Sequence, residues 1–293
     1  MIVVKLAGGL GNQIFQYAFG RQLSITNNTT LYLDPSDLQT YSTKRKYRLH
    51  RYNISAYLMD KTENRLLDQQ TRRGVMKTML GKMAEHIKLK NLRIIKESSV
   101  NFDPEKLQHS RNCLVYGYWQ NEKYFINIRD LLLKELCISD SISNHNEVFL
   151  KNILSSDAIS MHIRRGDYIS SKENQSVYYT CDQDYYSNAL SIIKEKYLSP
   201  HLFIFSDDIN WVKSNLEFSI PRTYISGDSE DQDIEELYLM SKCKSHIIAN
   251  SSFSWWGAWL CSFPQQYVVA PKNWFVDKRM NTEMKLPEKW RRI

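Results

Sequence analysis

The chain has 293 residues, 42% of them hydrophobic and 24% charged, which excludes a disordered or fibrous protein and leaves room for one large domain or two of ordinary size. Its formal net charge of +7 points to an anionic ligand, a nucleic acid or an acidic membrane surface, without choosing among them. Cys113, Cys137, Cys181, Cys243 and Cys261 form no Cys-x-x-Cys pair, and no histidine stands at zinc-finger spacing, so neither a disulfide framework nor a structural zinc is indicated and a cytoplasmic setting is expected.

Ile2 to Leu6 predicts a short buried strand, followed by Gly8-Gly9-Leu10-Gly11-Asn12-Gln13. Glycines here let the backbone turn sharply and approach a ligand. Ile14, Phe15, Ala18, Phe19 and Leu23 then have helical spacing. This strand, turn and helix lack the full Gly-x-Gly-x-x-Gly spacing and the Walker lysine, so the stretch is a ligand-facing loop of an α/β domain rather than a dinucleotide fingerprint. The apolar start is too short for a signal peptide or an anchor, and no run of about 18 apolar residues predicts a spanning helix. Peripheral association with a membrane through basic segments stays open.

Thr30 to Leu33 predicts a second strand, and Asp34-Pro35 closes it. The basic, aromatic run from Tyr41 to Tyr52 fits a solvated loop, the wall of a polar cleft or a surface for acidic lipid. Residues 60–90 predict a basic, mostly helical stretch. Strands follow at Leu92–Ile95 and Cys113–Trp119, the second carrying Tyr116, Tyr118 and Trp119, a cluster suited either to a half-buried edge strand or to packing on a sugar face. Helical patterns occupy Glu122–Leu136 and Glu147–Leu154. The polar stretch between them, Ser139–Asn146, places the domain boundary at 145/146 and gives domains 1–145 and 146–293.

The second half alternates more regularly. Strand Ala158–Ile163 runs into Arg164-Arg165-Gly166-Asp167, and strand His201–Phe205 into Ser206-Asp207-Asp208. Strand Ser245–Ala249 runs into Asn250-Ser251-Ser252-Phe253, and Tyr267–Ala270 is the last strand. Helices are expected at Gln183–Lys196, near Trp211, and from the acidic stretch Asp228–Glu236 through Lys244. Strands alternating with helices imply a mostly parallel sheet, whose strand ends gather at one edge. Two adjacent guanidiniums there suit a diphosphate, or else form a surface turn in which Arg165 pairs with Asp167. Asn250-Ser251-Ser252 suits a phosphate at a helix start, or a plain serine cap on a tryptophan-rich helix. Asp207 and Asp208 suit a ribose, a base or a metal. Asp231-Gln232-Asp233 reads as the acidic first turn of a helix rather than as a metal motif.

His162-Ile-Arg-Arg-Gly-Asp-Tyr168, Phe205-Ser-Asp-Asp208 and Ala249-Asn-Ser-Ser-Phe-Ser-Trp-Trp-Gly-Ala-Trp-Leu260 resemble the three motifs of the α-1,2-fucosyltransferases, and Gly8 to Ala18 resembles that family's amino-terminal motif. The resemblance runs in family order across nearly the whole chain. It implies an α/β, GT-B-like fold of two Rossmann-type domains facing a central cleft. The reaction implied is an inverting transfer of fucose from GDP-fucose to the 2-hydroxyl of a galactose, in an oligosaccharide or a lipid-linked glycan, with no essential metal. Carried over by motif, Arg164 grips the diphosphate, with His162 and Arg165 beside it. Asp207 or Asp208 contacts the nucleoside, while Asn250, Ser251, Ser252 and Phe253 line the phosphate and guanine pocket. Asn12 faces the transferred sugar. Asp167 is the first candidate for the catalytic base, with Glu173 and Asp34 behind it. A basic protein that binds nucleic acid or a lipid surface is the rival reading, but nothing in it calls for the Asn250–Leu260 segment, so no nucleic-acid partner is expected. A glycan-binding module without catalysis would use Tyr116, Tyr118 and Trp119 and need no GDP.

Overall fold

The computed structural model describes residues 1–39, 45–60, 92–99, 101–108, 111–227, 229–277 and 285–293, with the side chains of Asp167, Ser170 and Glu173 outside that description. The helical expectation for 60–90, apart from Asp60, and the first four residues of the basic run at 41–52 therefore lie outside the described residues, while Arg48, Leu49 and Tyr52 of that run are buried rather than solvated. The chain divides into two compact units, Met1–Leu136 and Cys137–Ile293. The division falls before the expected 145/146 because residues 137–145 are tied to the second unit. Ile142 belongs to a core cluster with Phe203 and Phe205. Ser143 caps the helix Asn144–Leu154 and gives its own N–H and hydroxyl to the buried Glu235.

The first unit is built on a parallel sheet of β1 (Ile2–Lys5), β2 (Leu31–Asp34), β3 (Tyr57–Leu58), β4 (Arg93–Lys96) and β5 (Cys113–Tyr116), in the order β3-β2-β1-β5-β4. β1 is central and fully buried, as its unbroken apolar run requires of a strand covered on both faces. One face carries Met1, Val3, Met59 and Leu114. Helix α1 (Leu10–Thr26) is buried along most of its length, including Ile14, Phe15, Phe19 and Leu23. Strand β5 stops at Tyr116, short of the expected Trp119, because Gly117 and Trp119 adopt left-handed φ angles of 141° and 57°. The helical pattern at Glu122–Leu136 becomes two 3-10 turns and then α2 (Arg129–Glu135). Phe125 breaks it, turning at φ −145° to place a fully buried ring 5.9 Å from Phe15.

The second unit has a parallel sheet in the order β11-β10-β9-β6-β7-β8. Its strands are β6 (Asp157–Ile163), β7 (Pro200–Ser206), β8 (Arg222–Tyr224), β9 (Ser245–Ile247), β10 (Tyr267–Ala270) and β11 (Arg291–Arg292). Its described helices are α3 (Asn144–Leu154), α4 (Gly166–Ser170), α5 (Lys172–Val177), α6 (Gln183–Lys194), α7 (Ile209–Asn215), α8 (Gln232–Ser241) and α9 (Ser252–Trp259). Alternation along β6 sorts its side chains between two cores. Ile159, Met161 and Ile163 pack with Tyr186, Ala189 and Ile193 of α6, while Ala158 joins Ile153 of α3 and Leu239 and Met240 of α8. Helix α8 ends at Ser241, before the expected Lys244, and Asp231 stands at its N-cap position without a side-chain capping bond. Among the described residues, no helix is long and apolar enough to cross a membrane.

Candidate active site

The parallel register sets the site. Ile163 at the end of β6 pairs with Ser206 at the end of β7, so the residues that follow each strand emerge side by side. Asp207 accepts the Arg165 N–H at 2.9 Å with one carboxylate oxygen and holds Arg164 Nη1 at 3.1 Å with the other. Gly166 is required beside them, since a Cβ there would stand 2.6 Å from Asp207 Oδ2. Arg164 and Asp207 are each about three-quarters covered, and the Arg164 guanidinium lies 5.5 Å over the Tyr168 ring.

Arg165 is held differently. Its guanidinium sits 3.2 Å over the Trp211 ring, and its Nε is 3.9 Å from Asp208, an ion pair rather than a hydrogen bond. Asp208 also caps α7 by accepting the Trp211 N–H at 3.2 Å. The side chain of Asp167, the partner expected for Arg165 in a surface turn, lies outside the described residues. Arg165 thus lies against Trp211 and Asp208, and Arg164 against Asp207 and Tyr168.

His162, buried beneath this turn, has its ring 5.4 Å from Phe253. Burial pushes its imidazole down to about 3, an effect that nearby Arg164 adds to and Asp207 opposes, so the ring is neutral. Its Nδ1 finds no hydrogen-bond partner among the described residues. Glu236, one turn into α8, is a residue the sequence reading passed over within an acidic run. Burial pushes its carboxyl up to about 7, a hydrogen bond from Gln232 Nε2 at 2.9 Å works against that, and Asp233 and Asp207 add to it.

After β9 the chain delivers Asn250, Ser251, Ser252 and Phe253. Ser251 caps α9 by accepting the Phe253 N–H, and Ser252 and Phe253 are half-buried in its first turn. Asn250 is buried and engaged on both sides: its side-chain amide donates to the carbonyls of Tyr179 at 2.6 Å and Trp274 at 2.9 Å, while its backbone carbonyl accepts the Tyr168 hydroxyl at 3.0 Å. Tyr168 stacks on Tyr178 at 4.7 Å, and Tyr178 bridges to Phe275. Asn250 thus clamps the segments at 177–179 and 274–276 beneath the arginine turn.

In the first unit, Asn12 follows the glycine turn on α1 and accepts a 2.8 Å hydrogen bond from Gln120. Gln13 and Gln16 lock the same turn, Gln13 to the Gly8 and Lys46 carbonyls and Gln16 between the Ala7 N–H and the Gly117 carbonyl. Asp34 is fully buried and 2.7 Å from Lys5, which removes it from the candidate bases. The side chains of Asp167 and Glu173 lie outside the described residues. Among the described residues, no group of three or more His, Cys, Asp or Glu is placed to hold a metal ion.

Over residues 1–293 the chain matches the family described as glycosyl transferase family 11. It is 34% identical over 303 residues to an α-1,2-colitosyltransferase of Escherichia coli, covering 100% of this chain and 99% of that one. To the O-antigen biosynthesis glycosyltransferase WbnK of Escherichia coli it is 30% identical, over 92% of this chain and 93% of that one. Galactoside alpha-(1,2)-fucosyltransferase 2 of Rattus norvegicus is 25% identical over 159 residues, 52% of this chain and 45% of that one. The fold is similar to the fucosyltransferase NodZ from Bradyrhizobium, with a TM-score of 0.51, 11% identity, and 88% of this chain and 91% of that one covered. It is also similar to a variant of Arabidopsis thaliana FUT1 in complex with GDP, with a TM-score of 0.52, 11% identity, and 91% and 69% covered. The chain belongs to glycosyl transferase family 11, as a fucosyltransferase-like enzyme on a GT-B-like fold.

Proposed function

We propose that this enzyme transfers fucose from GDP-fucose to the 2-hydroxyl of a galactose in an oligosaccharide, with inversion at the transferred carbon. The observation that carries the reading is Arg164, fixed by Asp207 and Tyr168 at the end of β6. As the bond from sugar carbon to phosphate oxygen breaks, its electron pair leaves with GDP and negative charge gathers on the diphosphate. A preorganised guanidinium stabilises that charge more than it stabilises the bound donor. The neutral His162 and the first turn of α9 complete the donor side, with Asp208 and Ser251 holding helices rather than ligand. The family resemblance assigns Asn12, held by Gln120, to the transferred sugar. The acceptor oxygen attacks from the opposite face and passes its proton to Asp167, the base we assign.

The decisive assay is incubation with GDP-fucose and a panel of galactose-ended oligosaccharides, with EDTA present, followed by linkage analysis. A new α-1,2 bond and stoichiometric GDP support the reading, whereas a different linkage or no transfer to any galactoside defeats it. In Asp167→Asn, kcat is expected to fall by a factor on the order of 10² or more, with donor affinity kept; unchanged kcat removes Asp167 from the role.

A second reading concerns the sugar. The colitosyltransferase matches along the full length of this chain, whereas the rat galactoside fucosyltransferase matches along about half of it. This favours colitose as an alternative transferred sugar, and the match to WbnK favours an O-antigen oligosaccharide as acceptor. Running the assay with GDP-colitose beside GDP-fucose separates the two donors.

A further inference from the structure

We propose that Tyr118 is an acceptor-recognition residue, its ring the platform against which a pyranose ring of the acceptor stacks. The proposal rests on the sugar-transfer reading above and extends it to the first unit. β1 and β5 are parallel neighbours, with Val4 opposite Val115, so the loop after β5 leaves the sheet at the same edge as the glycine turn after β1. Two hydrogen bonds stitch the loops together, Gln120 to Asn12 at 2.8 Å and Gln16 to the Gly117 carbonyl at 3.0 Å. Residues 117–120 thus share the strand-end position at which open parallel sheets bind ligands.

The loop has a conformation no ordinary strand end requires. Gly117 stands at φ 141° and Trp119 at φ 57°, and a bulky aromatic residue with positive φ is a strained choice. The conformation is held from both sides. Glu97 accepts the N–H of Tyr118 at 2.7 Å and that of Trp119 at 3.0 Å, one with each carboxylate oxygen. Trp119 is wholly buried and stacked on Phe19 at 3.9 Å. Gly117 admits no side chain, since a Cβ would meet that of Glu97 at 2.5 Å. The backbone twist drives Trp119 into the core while leaving Tyr118 43% exposed between two fixed neighbours.

A tyrosine on a backbone fixed in this way brings an aromatic ring suited to the C–H groups of a sugar, and its loop needs little ordering on binding. Besides Glu97, whose two carboxylate oxygens are engaged by the loop's own N–H groups, the side chains joined to the loop at this edge are amides, and of these Asn12 and Gln120 are of a kind that pairs with sugar hydroxyls. That chemistry suits a neutral glycan rather than the diphosphate that Arg164 serves.

The test compares wild type, Tyr118→Ala and Tyr118→Phe with the best acceptor from the galactoside panel. The alanine variant is expected to raise the acceptor KM about tenfold, while donor KM and acceptor-independent GDP release stay within about twofold. The phenylalanine variant keeps the ring face and is expected to stay within about threefold of wild type for the acceptor. An unchanged acceptor KM in Tyr118→Ala, or a donor KM that rises equally, overturns the platform. If wild type leaves every GDP-sugar intact, the function proposed above fails. Saturation-transfer NMR with lactose then decides on Tyr118: transfer seen in wild type and lost in Tyr118→Ala supports it. Equal transfer in both, or none in wild type, overturns it.

Discussion

The two sheets end in similar places and present opposite chemistry. At the carboxyl end of the second unit's sheet, Arg164 and Asp207 pair while part of each is still open to solvent. In the first unit the corresponding charges, Lys5 and Asp34, are drawn inward until 5% and 0% of their side chains remain exposed. What remains around the glycine turn and the 117–120 loop is a set of amides, the exposed Tyr118, and a Glu97 carboxylate whose two oxygens accept backbone N–H groups. Burying the ion pair makes a hydrogen-bonding edge for a neutral ligand. Leaving it at the surface makes an electrostatic edge for an anion.

The sharpest break in this comparison is Arg164→Ala. Losing a preorganised cation aimed at a developing charge is expected to cost about 3 kcal/mol of transition-state stabilisation, a fall in kcat on the order of 10²-fold. Steady-state kinetics on a variant whose melting temperature is unchanged would show it. A kcat within about tenfold of wild type would leave the electrostatic account of that edge without support.

Next comes Asn250→Ala. The Tyr179 and Trp274 carbonyls lose their buried donor together, and each unsatisfied group costs roughly 1–3 kcal/mol, so a stability loss of about 2–3 kcal/mol is expected. Urea denaturation measures it. An unchanged midpoint with weakened GDP binding would reverse the assignment, making Asn250 a ligand group instead of a clamp.

Asn250 also shows where the sequence was readable and where it was not. In the Asn250–Leu260 stretch the serine cap before a tryptophan-rich helix was legible as a local pattern, while a role in binding came only from the resemblance of the segment to a family motif. The use of the Asn250 amide was not legible, because its partners lie 71 and 24 residues away in the chain. The arginine turn divides in the same way. Two guanidiniums after a strand left an anion site and a surface turn both open, and the stacking of Arg165 on Trp211 depends on the register of β6 against β7. Strands such as β1 and β6 were visible in their mostly apolar runs. β11 was not, because Arg291–Arg292 carries no strand pattern and becomes a strand only by pairing with β10. Tyr118 and Trp119 were equal members of an aromatic cluster until a positive φ at Trp119 sent one inward and the other out.

The smallest effect concerns how much negative charge the second unit's edge tolerates. Glu236 already feels Asp207 and Asp233, and burial pushes its carboxyl from 4.5 up to about 7. The folded value lies above the unfolded one, so between those two pH values the native protein keeps a proton that the unfolded chain has released. The contribution to stability is then fully present below pH 4.5 and is lost as the pH rises through about 7. Glu236→Gln keeps the shape and never acquires the charge. Because the carboxyl is only half-buried and water screens it, the variant is expected to gain about 1 kcal/mol on wild type between pH 5 and pH 8. Urea midpoints at the two pH values measure the difference. A gap between variant and wild type that stays constant with pH, or narrows as the pH rises, would mean that Glu236 ionises freely at this edge and that Asp207 carries its charge there alone.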